Sequence, residues 1–244
     1  MRKVTVVTGG SRGIGAATCR QLAAAGHDLV IGYHSEKTAA EQVAADAVSH
    51  GVRAVVAQLR LETTTSAEVS VFFDAAAELG PLTGFVNNAA AISRPGPFTE
   101  LSEADLRRVI DVNVTGAILC LQEAVRRMSG GGAIVNVSSG AATLGSPGEY
   151  IHYAASKAAL DTVTLGLSKE AGPAGIRVNT VQPGTIKTEI HDRSGMPGRP
   201  EITAPGTPLR RAGEPEEIAS AIAWLLSDEA SYVTGAVLRV AGGR

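Results

Sequence analysis

The sequence predicts an α/β protein: one doubly wound parallel sheet of about seven strands with helices on both faces, in a single domain spanning residues 1–244. Three observations carry that reading. Short β-branched runs alternate with alanine- and leucine-rich stretches, the rhythm of parallel strands joined by crossover helices. The first such run passes straight into a glycine-rich turn and then a helix, the opening of a nucleotide-binding unit. The chain of 244 residues, 44% hydrophobic and 19% charged, suits one compact domain with a sizeable core.

The strands predicted in order are Lys3 to Thr8, Asp28 to Tyr33, Ala54 to Gln58, Gly84 to Asn87, Ala133 to Ser138, Arg177 to Gln182 and Val237 to Val240, with helices between them. Glycine-rich turns at 9–10, 129–132 and 171–175 punctuate this pattern. The long irregular stretch is Glu189 to Glu214, dense in Gly and Pro, and is expected to be a substrate lid.

Composition narrows the function. A net charge of −2 offers no general attraction to nucleic acid or an anionic membrane surface. No apolar run approaches the roughly 18 residues of a spanning helix, so no membrane role is expected. Cys19 and Cys120 are too few for a disulfide framework, and the apolar run after Met1 is too short for a signal peptide. A reducing, cytoplasmic setting follows as the expectation. His152 and His191 lack companions at metal-ligand spacing, so no metal is expected. A small-molecule substrate is what remains.

In "TGGSRGIG", Thr8 to Gly15, glycines at 9, 13 and 15 let the backbone turn tightly and approach a pyrophosphate, while the following helix offers free N–H groups and a positive dipole end. Gly9, Ser11, Arg12, Gly13, Ile14 and Gly15 are therefore candidate cofactor contacts. The spacing is Thr-Gly-x-x-x-Gly-x-Gly, and with it the chain resembles the short-chain dehydrogenase/reductase family. "NNAA" at 87–90 resembles the family's Asn-Asn-Ala-Gly, "DVNVTG" at 111–116 carries a helix-kink asparagine as Asn113, and "VQPGTIKTEI" at 181–190 resembles its Pro-Gly cofactor loop.

The resemblance covers Thr5 to Gly243. It implies a Rossmann-type strand order 3-2-1-4-5-6-7, a homotetramer with the helices around Asn113 and Tyr153 in one interface, and cofactor contacts at Asn88, Ala89, Ala90, Pro183, Gly184, Ile186 and Thr188.

The family's catalytic pair is Tyr-x-x-x-Lys. Tyr153 has Lys157 four residues on, one helical turn away on the same face, whereas the residue four after Tyr150 is Ala154. A carbonyl that accepts hydride must also receive a proton, and a phenol of ordinary pKa near ~10 is a reluctant acid–base group until a neighbouring ammonium favours its phenolate. Lys157, together with the positive charge on an oxidised nicotinamide ring, would supply that bias; by the resemblance Lys157 also holds the nicotinamide ribose, so both residues also belong to the cofactor site. Ser139 is the candidate to polarise the substrate oxygen; it stands one residue farther from Tyr153 than the family's serine usually does. Ser138 reads as a backbone-satisfying hydroxyl. By resemblance Asn113 bends its helix and frees a backbone carbonyl for a water that links Lys157 to solvent, completing a proton relay.

Three residues are candidates for the substrate pocket: Ala141, Tyr150 and His191, with Tyr150 a wall rather than an acid, while a solvent-exposed loop histidine is the favoured reading of His191. At the end of the second strand, Tyr33 and His34 replace the carboxylate that would repel a 2′-phosphate. Arg12, with His34 and Ser35, can receive that phosphate, which favours NADP(H) over NAD(H). Glu36 reads as a first-turn residue with Ser35 as N-cap. Arg60 stands where the family has an aspartate at the adenine, leaving the Leu61 backbone as the contact, while Ala90 and Ala241 replace a glycine and an aspartate.

The function expected is an NADP(H)-dependent oxidoreductase moving hydride between nicotinamide C4 and a carbonyl or secondary alcohol carbon of a small molecule. The alternatives are a 3-oxoacyl carrier-protein reductase, an NAD-dependent sugar or alcohol dehydrogenase and, from another class, a non-catalytic NADP(H)-sensing regulatory protein.

Overall fold

A computed structural model describes residues 2–244. The seven strands are β1 (Val4–Val7), β2 (Asp28–Tyr33), β3 (Ala54–Gln58), β4 (Leu82–Asn87), β5 (Gly132–Val137), β6 (Ile176–Pro183) and β7 (Val237–Val240). They form one parallel sheet in the order β3-β2-β1-β4-β5-β6-β7. Order reverses between β1 and β4, so the connections leaving those strands part and open a crevice at their C-terminal ends.

The helices are α1 (Gly13–Ala24), α2 (Lys37–Ser49), α3 (Ser66–Asp74), α4 (Glu103–Ile110), α5 (Ala117–Arg127), α6 (Ala141–Leu144), α7 (Ile151–Ala171), α8 (Ile190–Arg193), α9 (Arg199–Thr203) and α10 (Pro215–Leu226). Successive residues of a strand point to opposite faces, and the core divides accordingly. Leu29 and Ile31 of β2 pack with Cys19 and Leu22 of α1 and Ile218 and Ile222 of α10. Val30 faces the other way, into a cluster with Phe72, Phe73, Phe85 and Leu121. Every residue of β2 is buried, as a parallel strand covered on both faces should be.

Three sequence expectations change. Ser35 does not cap α2: Glu36 occupies the cap position and the Ser35 carbonyl accepts from Lys37 N, because the chain turns into the helix one residue later than its polar pattern suggests. The stretch 189–214 is not irregular throughout. It holds α8, α9 and a 3₁₀ turn at Ala204–Gly206, and a bridge from Ile186 to Gly213 closes its base. The helix around Asn113 is interrupted more than bent: a π-helical segment, Asp111–Gly116, separates α4 from α5. Among the described residues no helix is long and apolar enough to cross a membrane.

Candidate active site

Asn113 shows why the helix breaks where it does. Its side chain is completely buried and accepts from Ala91 N (2.7 Å) while donating to Ala91 O (2.9 Å) and to Ser156 Oγ (3.0 Å). Ser156 in turn donates to the carbonyl of Tyr153 (2.7 Å). Asn113 thus ties the segment after β4 to the turn of α7 that carries the tyrosine. Both amide hydrogens are used in this way, so the side chain has no donor left for another partner.

Helix α7 is set on the sheet by a second buried chain. Asn87 of β4 donates to Asn136 of β5 (3.0 Å), Asn136 to Thr164 of α7 (2.8 Å), and Thr164 meets Thr180 of β6 at 2.7 Å. Buried polar groups are costly unless paired, and a satisfied network admits few alternative arrangements. The helix is held in one register.

That register brings Ser139, Tyr153 and Lys157 together beyond the end of β5. The Ser139 hydroxyl stands near enough to the Tyr153 phenol to favour its ionised form, and it accepts from Ala141 N at 3.1 Å. Ala141 opens α6 and lines this corner. Ser138 points elsewhere, donating to the Lys157 carbonyl (3.0 Å). Lys157 Nζ lies 5.7 Å from the centre of the Tyr153 ring and donates to Val137 O at 2.8 Å. Burial pushes the Tyr153 phenol up to about 12, opposed by Ser139, and pulls Lys157 down to about 8, opposed by Asp161. Near neutrality the phenol keeps its proton and the ammonium keeps its charge.

Asp161 and Ser156 were not singled out from the sequence. The signal for Asp161 was present: Tyr153, Lys157 and Asp161 repeat at i, i+4, i+8 along one stripe of a helix. Asp161 accepts from Gln182 (2.7 Å), and burial raises its pKa against the pull of Ser138, Gln182 and Lys157.

At the glycine turn, Gly9 and Gly13 have φ of +64° and +51°, left-handed values that suit glycine. A Cβ on Gly15 would stand 2.2 Å from the Gly9 carbonyl, so the turn closes only without one. Asn88 clamps it, donating to Thr8 O (2.9 Å) and Gly9 O (3.0 Å), while Asn88 N and Ala89 N donate to Thr8 Oγ1. Arg12 at the cap of α1 gives its helix no side-chain hydrogen bond, and the first-turn N–H groups have no intrahelical acceptor. These are the features a pyrophosphate requires, and the residues present fit a dinucleotide. Beside the turn lies a cleft of about 640 Å³ lined by Ser11, Arg12, Gly13, Lys187 and Thr188. Ile14 packs inward on the α1 side of the core.

The Pro-Gly loop meets the same crevice. Pro183 O accepts from Gly140 N, and Gly184 N donates to Val240 O. Ala241 packs beneath Gly184, where an added Cβ would come within 2.8 Å of its Cα. Ile186 is buried, and Thr188 lies against Gly13. Leu61 is buried against Gly116, Arg60 is exposed, and Ala90 is half-buried beside Ala91, whose backbone Asn113 holds.

The adenosine end departs from expectation. Arg12 is not free: its Nη1 meets Glu36 Oε1 at 2.8 Å, and Arg193 of α8 binds the same oxygen. Hydrogen bonding from Arg193, aided by the Arg12 charge, holds the Glu36 carboxyl below its ordinary pKa. His34 turns to Glu62 (3.3 Å), and Ser35 is exposed. A residue 157 positions distant in sequence completes this cluster, so no local pattern announced it.

His191 is half-buried rather than solvent-exposed. It lies against the Ile186 carbonyl (Nε2 to O, 3.1 Å), its Nδ1 is buried without a partner among the described residues, and burial lowers its pKa. Tyr150 is 4% exposed, its ring edge-on to that of Tyr153 with centres 6.1 Å apart.

This constellation has known relatives. Over residues 9–244 the chain matches the family described as enoyl-(acyl carrier protein) reductase. It is 46% identical to the uncharacterized oxidoreductase YgfF of Escherichia coli strain K12, over 99% of both chains. The chain belongs to the short-chain dehydrogenase/reductase family. It is also 42% identical to the cis-4-hydroxycyclohexanecarboxylate dehydrogenase of Sinomonas cyclohexanicum, across 99% of this chain and 96% of the relative. Among solved structures of the family, a short chain dehydrogenase from Burkholderia cenocepacia J2315 in complex with NADP superposes with a TM-score of 0.91 at 35% identity, covering 99% of this chain and 97% of that one.

Proposed function

We propose that this oxidoreductase uses NADP(H) and works in the direction of carbonyl reduction, on a small-molecule ketone or aldehyde. The observation that carries this reading is the grouping of Ser139, Tyr153 and Lys157 beyond the end of β5, with the Lys157 ammonium 5.7 Å from the centre of the Tyr153 ring, so that a phenol able to give up a proton stands beside a cation able to support its phenolate. Ser139 orients the substrate oxygen. Tyr153 donates its proton to that oxygen as negative charge develops there, and the nearby ammonium of Lys157 stabilises the phenolate left behind. A bound dinucleotide supplies the hydride at nicotinamide C4. The first turn of α1 and Gly9 to Gly15 would hold its pyrophosphate, with Asn88, Ala89, Ala90, Leu61 and the loop from Pro183 to Thr188 around the remainder, and Lys157 on the ribose.

NADP(H) is favoured because two guanidinium groups, Arg12 and Arg193, share one carboxylate, leaving net positive charge where a 2′-phosphate would sit. The solved relative with NADP supports the same reading. Glu36 itself supports the rival choice, since a carboxylate there can accept from a free ribose hydroxyl and select NAD(H). Titration with NADPH and NADH, followed by nicotinamide fluorescence in wild type and Arg12→Ala, decides between them. Tighter NADPH binding that is lost in the variant supports NADP(H); equal or tighter NADH binding overturns it.

The whole chain then acts as one domain with residues 189–214 as its lid. Assembly as a homotetramer through the helices around Asn113 and Tyr153 is supported by the exposed apolar side chains Leu106, Ile151 and Leu165 on α4 and α7. Sedimentation equilibrium measures it directly.

A further inference from the structure

Tyr150 has more to offer than a wall. Its hydroxyl is buried and has no hydrogen-bond partner among the described residues. A hydroxyl removed from water without a partner is a net cost to the fold, and phenylalanine would fill the same volume without it. Nor is the ring loosely held. It packs edge-on to Tyr153, and the guanidinium of Arg199 lies over it, 5.2 Å from the ring centre. Arg199 reaches there from the lid helix α9 and is itself buried, gripping Glu149 through both nitrogens at 2.9 and 2.6 Å. The ion pair orients Tyr150 and brings no net charge to it.

The lid adds a second unpartnered group to this neighbourhood. If the His191 ring donates from Nε2 to Ile186 O, its buried Nδ1 is an acceptor. His191 adjoins Arg199 through Met196, whose N–H donates to the His191 carbonyl and whose sulfur accepts from Arg199.

We infer that Tyr150 is a specificity residue whose hydroxyl binds a second, uncharged oxygen of the substrate, so that the preferred class is an α-hydroxyketone or the corresponding vicinal diol. The inference rests on the proposed reductase reading, since it places the first oxygen on Tyr153. With the two ring centres 6.1 Å apart, the second oxygen is assigned to the carbon next to the reacting one. A carboxylate at that position is disfavoured, because the cation over Tyr150, Arg199, is already neutralised by Glu149. A plain ketone leaves the buried hydroxyl unpaired, the situation in which a polar site rejects an analogue lacking the matching group.

The test compares 1-hydroxybutan-2-one, butan-2-one and 2-oxobutanoate as substrates of the cofactor-loaded wild type and Tyr150→Phe. In wild type, kcat/KM for the hydroxyketone should exceed that for either analogue by about tenfold or more, the worth of one buried hydrogen bond. The preference over butan-2-one should vanish in Tyr150→Phe, whose Tm without substrate should hold or rise. The same preference in both proteins overturns the inference, as does a fall in Tm with equal loss toward both ketones, which marks a structural tyrosine. Calorimetric titration of butane-1,2-diol and butan-2-ol into the NADP⁺-loaded protein separates this from the reductase reading. Diol selectivity that depends on Tyr150 without turnover overturns the reductase reading and leaves Tyr150 as a binding group; equal affinities in wild type overturn the specificity role whatever the turnover.

Discussion

The wall of the crevice and its lid are held by different physics. Asn113, Ser156, Asn87, Asn136 and Thr164 are joined by buried hydrogen bonds that fix α7, and with it Tyr153 and Lys157, to three strands. Among its ion pairs the lid is held largely by charged side chains near its surface: Arg193 on Glu36, Lys187 on Glu214 and Arg211 on Glu217, with Arg199 on Glu149 the most buried of them. Buried neutral networks are geometrically exacting, while exposed ion pairs are weak and screened by salt. On the proposed function the wall carries the chemistry, which needs fixed geometry, and the lid carries substrate entry and choice, which need parts able to move.

The wall is where substitution should cost most. Tyr153→Phe removes the proposed proton donor and should lower kcat/KM for carbonyl reduction by about 10²–10⁴-fold while NADPH affinity stays within a few-fold. Retained turnover would break the assignment of that role. Asn113→Ala abolishes three buried hydrogen bonds and strands the Ala91 backbone, so urea unfolding should show a loss of about 2–4 kcal/mol together with reduced kcat. A midpoint unchanged from wild type would show that the wall is no more exacting than the lid.

An intermediate effect belongs to the stripe Tyr153, Lys157, Asp161. With Lys157 near 8, kcat/KM for reduction should fall as pH rises through that value, and Asp161→Asn should move the fall to lower pH because Asp161 supports the ammonium. The stability effect has the opposite slope. A lysine whose folded pKa lies below its unfolded value binds fewer protons when folded, so wild-type stability relative to Lys157→Met should rise from about pH 8 toward pH 10. Parallel pH scans of rate and of denaturant midpoint check both signs.

The smallest effect is expected on the lid side. Glu36→Gln frees Arg12 and Arg193, and should change stability by less than about 1 kcal/mol while tightening NADPH binding several-fold, more at low salt than at high. Fluorescence titration at two ionic strengths reads this, and weaker NADPH binding would make Glu36 a supporting partner of the cofactor rather than its competitor.

Much of the wall was legible in the sequence because its motifs are local. Thr8 to Gly15 had to turn and admit close backbone contact, and Tyr153 and Lys157 had to share a helical face, whatever surrounded them. Ser156, Thr164 and Asn136 were not legible, since on a helix or a strand they look like any small polar residue and acquire meaning only when a partner from another element arrives. The lid was the least legible. Its Gly and Pro content suggested disorder of form, yet Arg199 and Arg193 organise it through carboxylates 50 and 157 positions away.

By itself the sequence determined the alternation of elements, the glycine turn and the Tyr153–Lys157 spacing, because hydrophobic period, backbone sterics and helical geometry act within a few residues; the strand order was what the family resemblance implied. Only the tertiary structure decided that Asn113 spends its amide on Ala91 and Ser156, that Arg12 meets Glu36 and Arg193, and that Tyr150 keeps a buried hydroxyl beside Tyr153. Hydrogen bonds and ion pairs are short-ranged in space and indifferent to distance along the chain, so their partners are known only once the sheet has brought them together.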